Sequence, residues 1–505
     1  MPISASQRRF SRLRLSANRC LIALTALSVF ALAVASSAVA AGPLISVSDP
    51  TITGPTPGLI EAFAPRWHAA GVDLASVTAD WAKISPDPQA QSKPDGFSAD
   101  DPDSPLYNWA ELDRVIGVLR ANGIEPLLTI TGPGPLWASS DPAHGDARNR
   151  PDADLFAAFA QAVALRYSRS VDRYIIWYEP NLAANLFPQY SCVGKVCEPR
   201  SPQIYRDLFN KSAALIRRED PESSVYAGAL SAARVGTKSP TSGMPSLAWL
   251  RSFECLTMKD LVDRKSAPCK GFAAAAVDGF AYHPEQRNAA PGLSLKSASY
   301  AGISDAALLT GVLDNGQQTG GLINHSKRSA PVDLYFTEWG YQTNPPDIFN
   351  GITTSAQDRW LQQGARIAYA QKRIKMLGFY LWRDEPIVDS GKYRGSYSGT
   401  QSGLFSFDGS PKQAWRSFTD PIWVSAVKGG AQVWGQVRPG AAANVTIDRR
   451  VGRSGFKAVS SLTTDAQGYF AVTIPTSGAS AFRYIWTTGG STEKHYSAEM
   501  TVKPR

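Results

Sequence analysis

Short apolar runs alternate with amphipathic stretches from about Pro50 to Trp423, and this alternation restricts the chain to few folds. Ala75–Ile84, Ile124–Ile130, Arg173–Trp177, Ser224–Ala229, Val277–Tyr282, Val332–Phe336 and Met376–Trp382 read as strands. Between them, Trp109–Asn122, Ala153–Tyr167, Gln203–Arg218, Ser246–Leu256, Ser304–Leu313 and Thr354–Lys372 read as helices, from apolar residues at helical spacing. Strands that alternate with helices build a parallel sheet with helical crossovers. A count of about eight strands favours a (β/α)8 TIM barrel over an open doubly wound sheet. No Gly-x-Gly-x-x-Gly follows an early strand and no Walker-type loop is present, so dinucleotide and nucleoside triphosphate chemistry have no support.

The texture changes after about Ser425. Short alternating runs separated by Gly, Pro and Asp-Ala-Gln-Gly turns predict a small all-β sandwich. At the other end, Arg8, Arg9, Arg12, Arg14 and Arg19 precede the apolar run Cys20–Ala35, and Ala38-Val39-Ala40 forms a small-x-small cleavage site. This is the pattern of a secretory signal peptide, with an uncleaved N-terminal anchor as the alternative. The expected organisation is therefore signal 1–40, barrel 41–424 and sandwich 425–505.

The signal explains most of the charge. The chain carries 52 Lys and Arg against 43 Asp and Glu, but without the five signal arginines the balance is 47 to 43. No basic stripe remains to serve a nucleic acid. Export, whether to the outside or to a periplasm, also suits the cysteines. Cys192, Cys197, Cys255 and Cys269 remain after Cys20 is removed, and neighbours in sequence suggest disulfides 192–197 and 255–269. Zinc binding is the alternative, but the spacings lack Cys-x2-Cys and no His lies near. Thirteen Trp and 18 Tyr exceed what a core needs and suggest stacking on sugars or bases.

In a (β/α)8 barrel, polar residues at the C-terminal ends of strands face the active-site mouth. Glu179 ends the strand Arg173–Trp177, and Glu338 ends the strand Val332–Phe336, 159 residues later. Two carboxylates across one cleft can divide acid and nucleophile roles. No pair of His residues has metal-ligand spacing, and neither a metal nor a cofactor is expected.

These residues carry a resemblance. Trp177-Tyr178-Glu179-Pro180-Asn181, Thr337-Glu338-Trp339-Gly340 and Phe280-Ala281-Tyr282-His283-Pro284 resemble motifs of the clan A retaining glycoside hydrolases. Within that clan the chain is most similar to family 39-like and cellulase-like members, over about residues 55–420. The resemblance implies a carbohydrate substrate, Glu179 as acid/base and Glu338 as nucleophile. It puts His283 in the mouth and Trp382 where the clan's eighth-strand aromatic floors the sugar subsite. Ser402–Phe405 and Asp408–Lys412 resemble the segment that leads into the last helix.

Two positions depart from the clan. Tyr178 stands where an Asn binds the sugar 2-hydroxyl, and Val77–Trp81 lacks the Arg that supports the nucleophile. Both change sugar recognition more than the reaction. Tyr282 and Tyr341 are candidates for orienting Glu338 or touching sugar, with core packing as the alternative. Trp137 lines a subsite or caps the barrel, Asn181 shapes the acid/base loop or a turn, and His283 alternatively is a buried structural residue. Trp434, Tyr469 and Trp486 are candidate sugar contacts on the sandwich, which otherwise is a structural module. A carbohydrate-binding barrel with weak catalysis, and a transglycosylase using the same residues, are the competing functions.

Overall fold

A computed structural model describes residues 42–233, 237–389, 397–487 and 492–503. The expected signal segment and Cys20 lie outside these residues. Eight parallel strands close into a barrel, each followed by a helix. The strands are β1 (Leu44–Ser48), β2 (Leu74–Asp80), β3 (Glu125–Thr131), β4 (Arg173–Ile176), β5 (Ser224–Ser231), β6 (Gly279–His283), β7 (Leu334–Trp339) and β8 (Ile374–Tyr380). The helices are α1 (Leu59–Ala69), α2 (Ala110–Ala121), α3 (Ala153–Tyr167), α4 (Ser201–Glu219), α5 (Ser246–Phe253), α6 (Ala306–Gln318), α7 (Thr354–Ala370) and α8 (Gln413–Thr419).

Local signals explain several element ends. Asp152 caps α3 by accepting from the amides of Asp154 and Leu155, and Thr353 caps α7 through the amide of Ala356. Gly123 leaves α2 with φ 71°, a backbone that favours glycine. The expected strand Ala75–Ile84 stops at Asp80, whose carboxylate accepts from Lys83 N–H and starts a helical turn, Trp81–Ile84. Two elements of the barrel itself were not expected from sequence. β1 pairs with both β8 and β2 and closes the barrel. α1 carries Pro65 in its interior, which hides it from a helix pattern.

Side chains alternate across the strands. Outward residues such as Ile45, Val77, Leu128, Phe280 and Phe336 join the shell between barrel and helices. Inward residues Leu74, Leu127, Ile175, Tyr226, Ala281 and Met376 form a separate apolar floor inside the barrel.

The C-terminal strands form two facing antiparallel sheets. They are β9 (Ile422–Val427), β10 (Gly430–Gln436), β11 (Asn444–Val451), β12 (Lys457–Thr463), β13 (Tyr469–Pro475), β14 (Ser480–Thr487), β15 (Lys494–Tyr496) and β16 (Met500–Val502). One sheet runs β9-β10-β13 and the other β12-β11-β14-β15, with β16 on β14. Val433, Val445, Ile447, Phe470 and Phe482 pack between them. β9 runs across residue 424, where the sequence places the end of the barrel domain.

The junction between barrel and sandwich is densely packed. Tyr469 and Trp434 pack on Tyr369 of α7, the Tyr469 hydroxyl donates to the Pro43 carbonyl, and Trp486 Nε1–H donates to Asp420. Arg438 is buried against Phe418 and donates to its carbonyl. Trp434, Tyr469 and Trp486 are thus buried in structural contacts, as a structural module packed on the barrel requires, and offer no sugar platform.

Candidate active site

β4 ends in a double kink. Trp177 (φ 68°) and Glu179 (φ 41°) both take left-handed backbone, which costs non-glycine residues of order 1–3 kcal/mol and concentrates at functional sites. The kink breaks the alternation. Trp177 swings outward onto Phe156 with ring centroids 5.1 Å apart, and Tyr178 turns inward. Asn181 fastens the loop that follows: its amide donates to the carbonyls of Ser231 and Met244, and its oxygen accepts from Ser231 N–H. β7 carries a register shift between Phe336 and Trp339. It leaves Thr337 in the interior, brings Glu338 to the mouth, and returns Trp339 to the shell.

The two carboxylates meet at His283, the inward-facing end of β6. His283 Nδ1 lies 2.9 Å from Glu179 Oε1 and 3.6 Å from Glu338 Oε2. These two legs cap the separation of those oxygens at about 6.5 Å. Glu338 has a partner on each oxygen. Ser48 Oγ donates to Oε1 and the Tyr178 hydroxyl donates to Oε2, both at 3.0 Å.

The charges reinforce one another. Burial pushes the Glu338 carboxyl above its usual range, as does the Glu179 charge, while His283 and the Ser48 and Tyr178 hydroxyls pull it back. Burial opposes protonation of His283, but the charge of Glu338 and the contact with Glu179 prevail and raise its pKa to about 9. His283 is therefore a cation at neutral pH, wedged between two carboxyls. Burial, then the charges of Glu338 and Glu179, push the Tyr178 phenol up, so it stays a neutral donor.

Two cavities share this site. An outer cleft of about 430 Å³ is lined by Glu179, Glu338, Ser231, Gln342, Tyr380 and Thr400, with Glu285 and Arg287 exposed at its rim. An inner chamber of about 240 Å³ lies on the other side of Tyr178, inside the barrel. A larger cleft of about 850 Å³ runs between α7, α8 and the sandwich, lined by Trp415 and Trp423, but neither glutamate of the pair reaches it.

The loops around the mouth are braced. Lys412 is buried and donates to Asp384 at 2.7 Å, to Thr343 Oγ1 and to the Gln401 carbonyl. Asp49, at the end of β1, accepts from the amides of Trp382 and Arg383 beyond β8. Both cysteine pairs expected from sequence are bonded: Cys192–Cys197 crosses the hairpin Tyr190–Val193/Val196–Pro199, and Cys255–Cys269 closes the loop after α5.

Glu179, Glu338, Tyr178 and His283 converge, and Asn181 supports their loop. Other sequence candidates lie elsewhere. With His283 inward, the period of two turns Tyr282 outward, where it is fully buried and bonded to Ser246 and the Ala301 carbonyl. Tyr341 is buried between Trp339 and Trp360. Trp137 is buried against Phe97, with Nε1–H donating to the Pro86 carbonyl. Trp382 is 1% exposed and packed among Trp67, Phe405, Trp415 and Phe418, so it floors no cavity at the carboxylates. The aromatic that faces the outer cleft from β8 is Tyr380. Sequence reasoning also missed Ser48, because β1 itself was missed. The alternation within Leu44-Ile45-Ser46-Val47-Ser48 was the available signal.

No protein-family profile matches the chain, and no curated protein sequence is significantly similar to it. Among solved structures it is similar to a glucosidase from Croceicoccus marinus, at 13% identity over 85% of this chain and 92% of that one, with a TM-score of 0.47. It is also similar to a family 1 β-glucosidase from Thermotoga maritima, at 13% identity over 72% of this chain and 92% of that one, with a TM-score of 0.41.

Proposed function

We propose that this chain is an exported retaining glycoside hydrolase that cleaves O-glycosidic bonds by double displacement. The observation that carries the reading is the Glu179–His283–Glu338 cluster, with its carboxylate oxygens at most about 6.5 Å apart. Retaining enzymes hold the pair about 5–5.5 Å apart, and inverting ones need about 6.5–9.5 Å to admit a water.

The surroundings of each carboxyl support the division of roles. Glu338, held on both oxygens by hydroxyl donors and facing the His283 cation, is the ionised nucleophile. It attacks the anomeric carbon and forms the glycosyl-enzyme. Glu179 faces the outer cleft, where the leaving oxygen departs, and serves as acid and then as base for water. His283 Nδ1 lies 2.9 Å from Glu179 Oε1, and with His283 protonated this pair holds the proton that the leaving group requires. Tyr178 occupies the place of the clan's Asn but donates to the nucleophile, which supplies part of the support that the missing Arg gives elsewhere.

A screen of aryl glycosides tests the reading. Turnover of at least one is expected, with retention of anomeric configuration in the first-formed product by NMR. Glu338→Gln abolishes it, and Glu179→Gln lowers it by about 10²–10⁴-fold. Inversion, or undiminished turnover by Glu338→Gln, refutes the assignment.

A further inference from the structure

Barrels of this kind are ordinarily filled by layers of bulky, branched side chains. This one is filled only at its floor. Two residues on from Leu74, Leu127, Tyr335 and Met376, the inward positions carry Ser76, Thr129, Thr337 and Gly378. Small side chains at the next inward positions of several strands leave the upper barrel hollow.

The resulting inner chamber descends from Glu338 and Tyr178, past Thr78, Thr129 and Thr337, to Ile175 of the floor. Its 240 Å³ holds the equivalent of about eight waters, or one sugar ring. Thr337 lines the chamber, is 3% exposed, and its hydroxyl has no hydrogen-bond partner among the described residues. The lining includes no Lys or Arg. Its charged members are Glu338 and His283, which are already engaged with each other.

The chamber also has a direction. Glu338 and Tyr178 line both cavities, whereas Glu179 lines only the outer cleft. In double displacement the glycone lies against the nucleophile and the leaving group beside the acid. We infer that the inner chamber receives the glycone: one uncharged terminal sugar unit inserts into the barrel, and the rest of the substrate lies in the outer cleft. The enzyme is then exo-acting on neutral glycosides. This rests on the glycosidase reading above and adds the substrate class.

The test uses neutral 4-nitrophenyl monoglycosides, 4-nitrophenyl glucuronide, and reducing-end-labelled oligosaccharides of any neutral sugar that is turned over. The full chain is expected to cleave a neutral monoglycoside, to leave the glucuronide intact, and to shorten the oligosaccharide one unit at a time. Thr129→Leu fills the chamber and is expected to lower kcat/KM by more than about tenfold, chiefly through KM. Thr129→Val keeps the volume, removes one hydroxyl, and lowers kcat/KM by about two- to tenfold, a readout that survives if the Leu variant does not fold. Internal cleavage of the oligosaccharide, preference for the glucuronide, or wild-type kinetics in the filled and folded Leu variant overturns the inference while leaving the glycosidase reading intact. If no glycoside is cleaved and no activated fluoroglycoside labels Glu338, both fall together.

Discussion

Tyr178→Phe isolates one interaction at the nucleophile. The substitution removes a hydroxyl 3.0 Å from Glu338 Oε2 and keeps the ring, which packs 5.5 Å from His283. A hydrogen bond to a charged group contributes about 1.5–3 kcal/mol. At 1.36 kcal/mol per pKa unit, its loss moves the Glu338 pKa upward by about one to two units. The direction follows from which form the bond favours. The phenol donates to the ionised carboxylate, so without it protonation becomes easier and the nucleophile is lost earlier as pH falls. The acid limb of kcat/KM reports the essential base of the free enzyme. Measured on an aryl glycoside well below KM, that limb is expected to rise by about one to two pH units. Ser48→Ala, which removes the equivalent donor on Oε1, is expected to shift it the same way. Thermal melting at neutral pH serves as the control for folding. A limb that moves by less than about 0.3 unit, or moves downward, refutes the claim that Tyr178 holds the nucleophile ionised.

Three further outcomes follow from the packing. Trp382→Ala empties a fully buried site and is expected to cost about 3–5 kcal/mol in urea unfolding, whereas Tyr380→Ala raises KM with a smaller effect on stability. Glu254 is fully buried, with neither carboxylate oxygen hydrogen-bonded among the described residues, and burial holds its carboxyl well above the usual 4.5. Its folded state keeps a proton that the unfolded chain releases, so stability falls by about 1.4 kcal/mol per pH unit above 4.5, up to the folded pKa. Glu254→Gln is expected to remove that slope and to gain stability at neutral pH but not in acid, as measured by urea unfolding across pH. Replacing both cysteines of Cys255–Cys269 by Ser opens a loop with a sequence separation of 14 and is expected to cost about 3 kcal/mol. The same change at Cys192–Cys197, separation 5, is expected to cost about 2 kcal/mol.

What sequence reveals about such a barrel depends on how local the signal is. The strand–helix alternation, the two strand-end glutamates and the cysteine pairing are each carried by neighbouring residues, and all three appear in the structure. The orientation of Tyr282 was equally local, because an inward His283 forces its neighbour outward. The orientation of Tyr178 was not. It depends on left-handed backbone at Trp177 and Glu179, which nothing in Trp-Tyr-Glu-Pro-Asn announces. Trp382 misled for a related reason. It lies two residues beyond the last strand residue, Tyr380, where the amide bonds to Asp49 draw the chain back over the shell and bury the indole.

The inner chamber is the least local feature of all. Ser76, Thr129 and Thr337 each sit in a strand that reads as an apolar run with small polar interruptions. Singly, each is the kind of hydroxyl that any half-buried strand tolerates. They become a cavity, together with Ser48, only because the closed barrel turns them all toward its axis, and that closure includes β1, the strand least visible in the sequence. The exo-acting proposal therefore depends on ring closure. A β1 register shifted by one residue would turn Ser48 outward, remove a donor from Glu338 and place Val47 at the chamber wall.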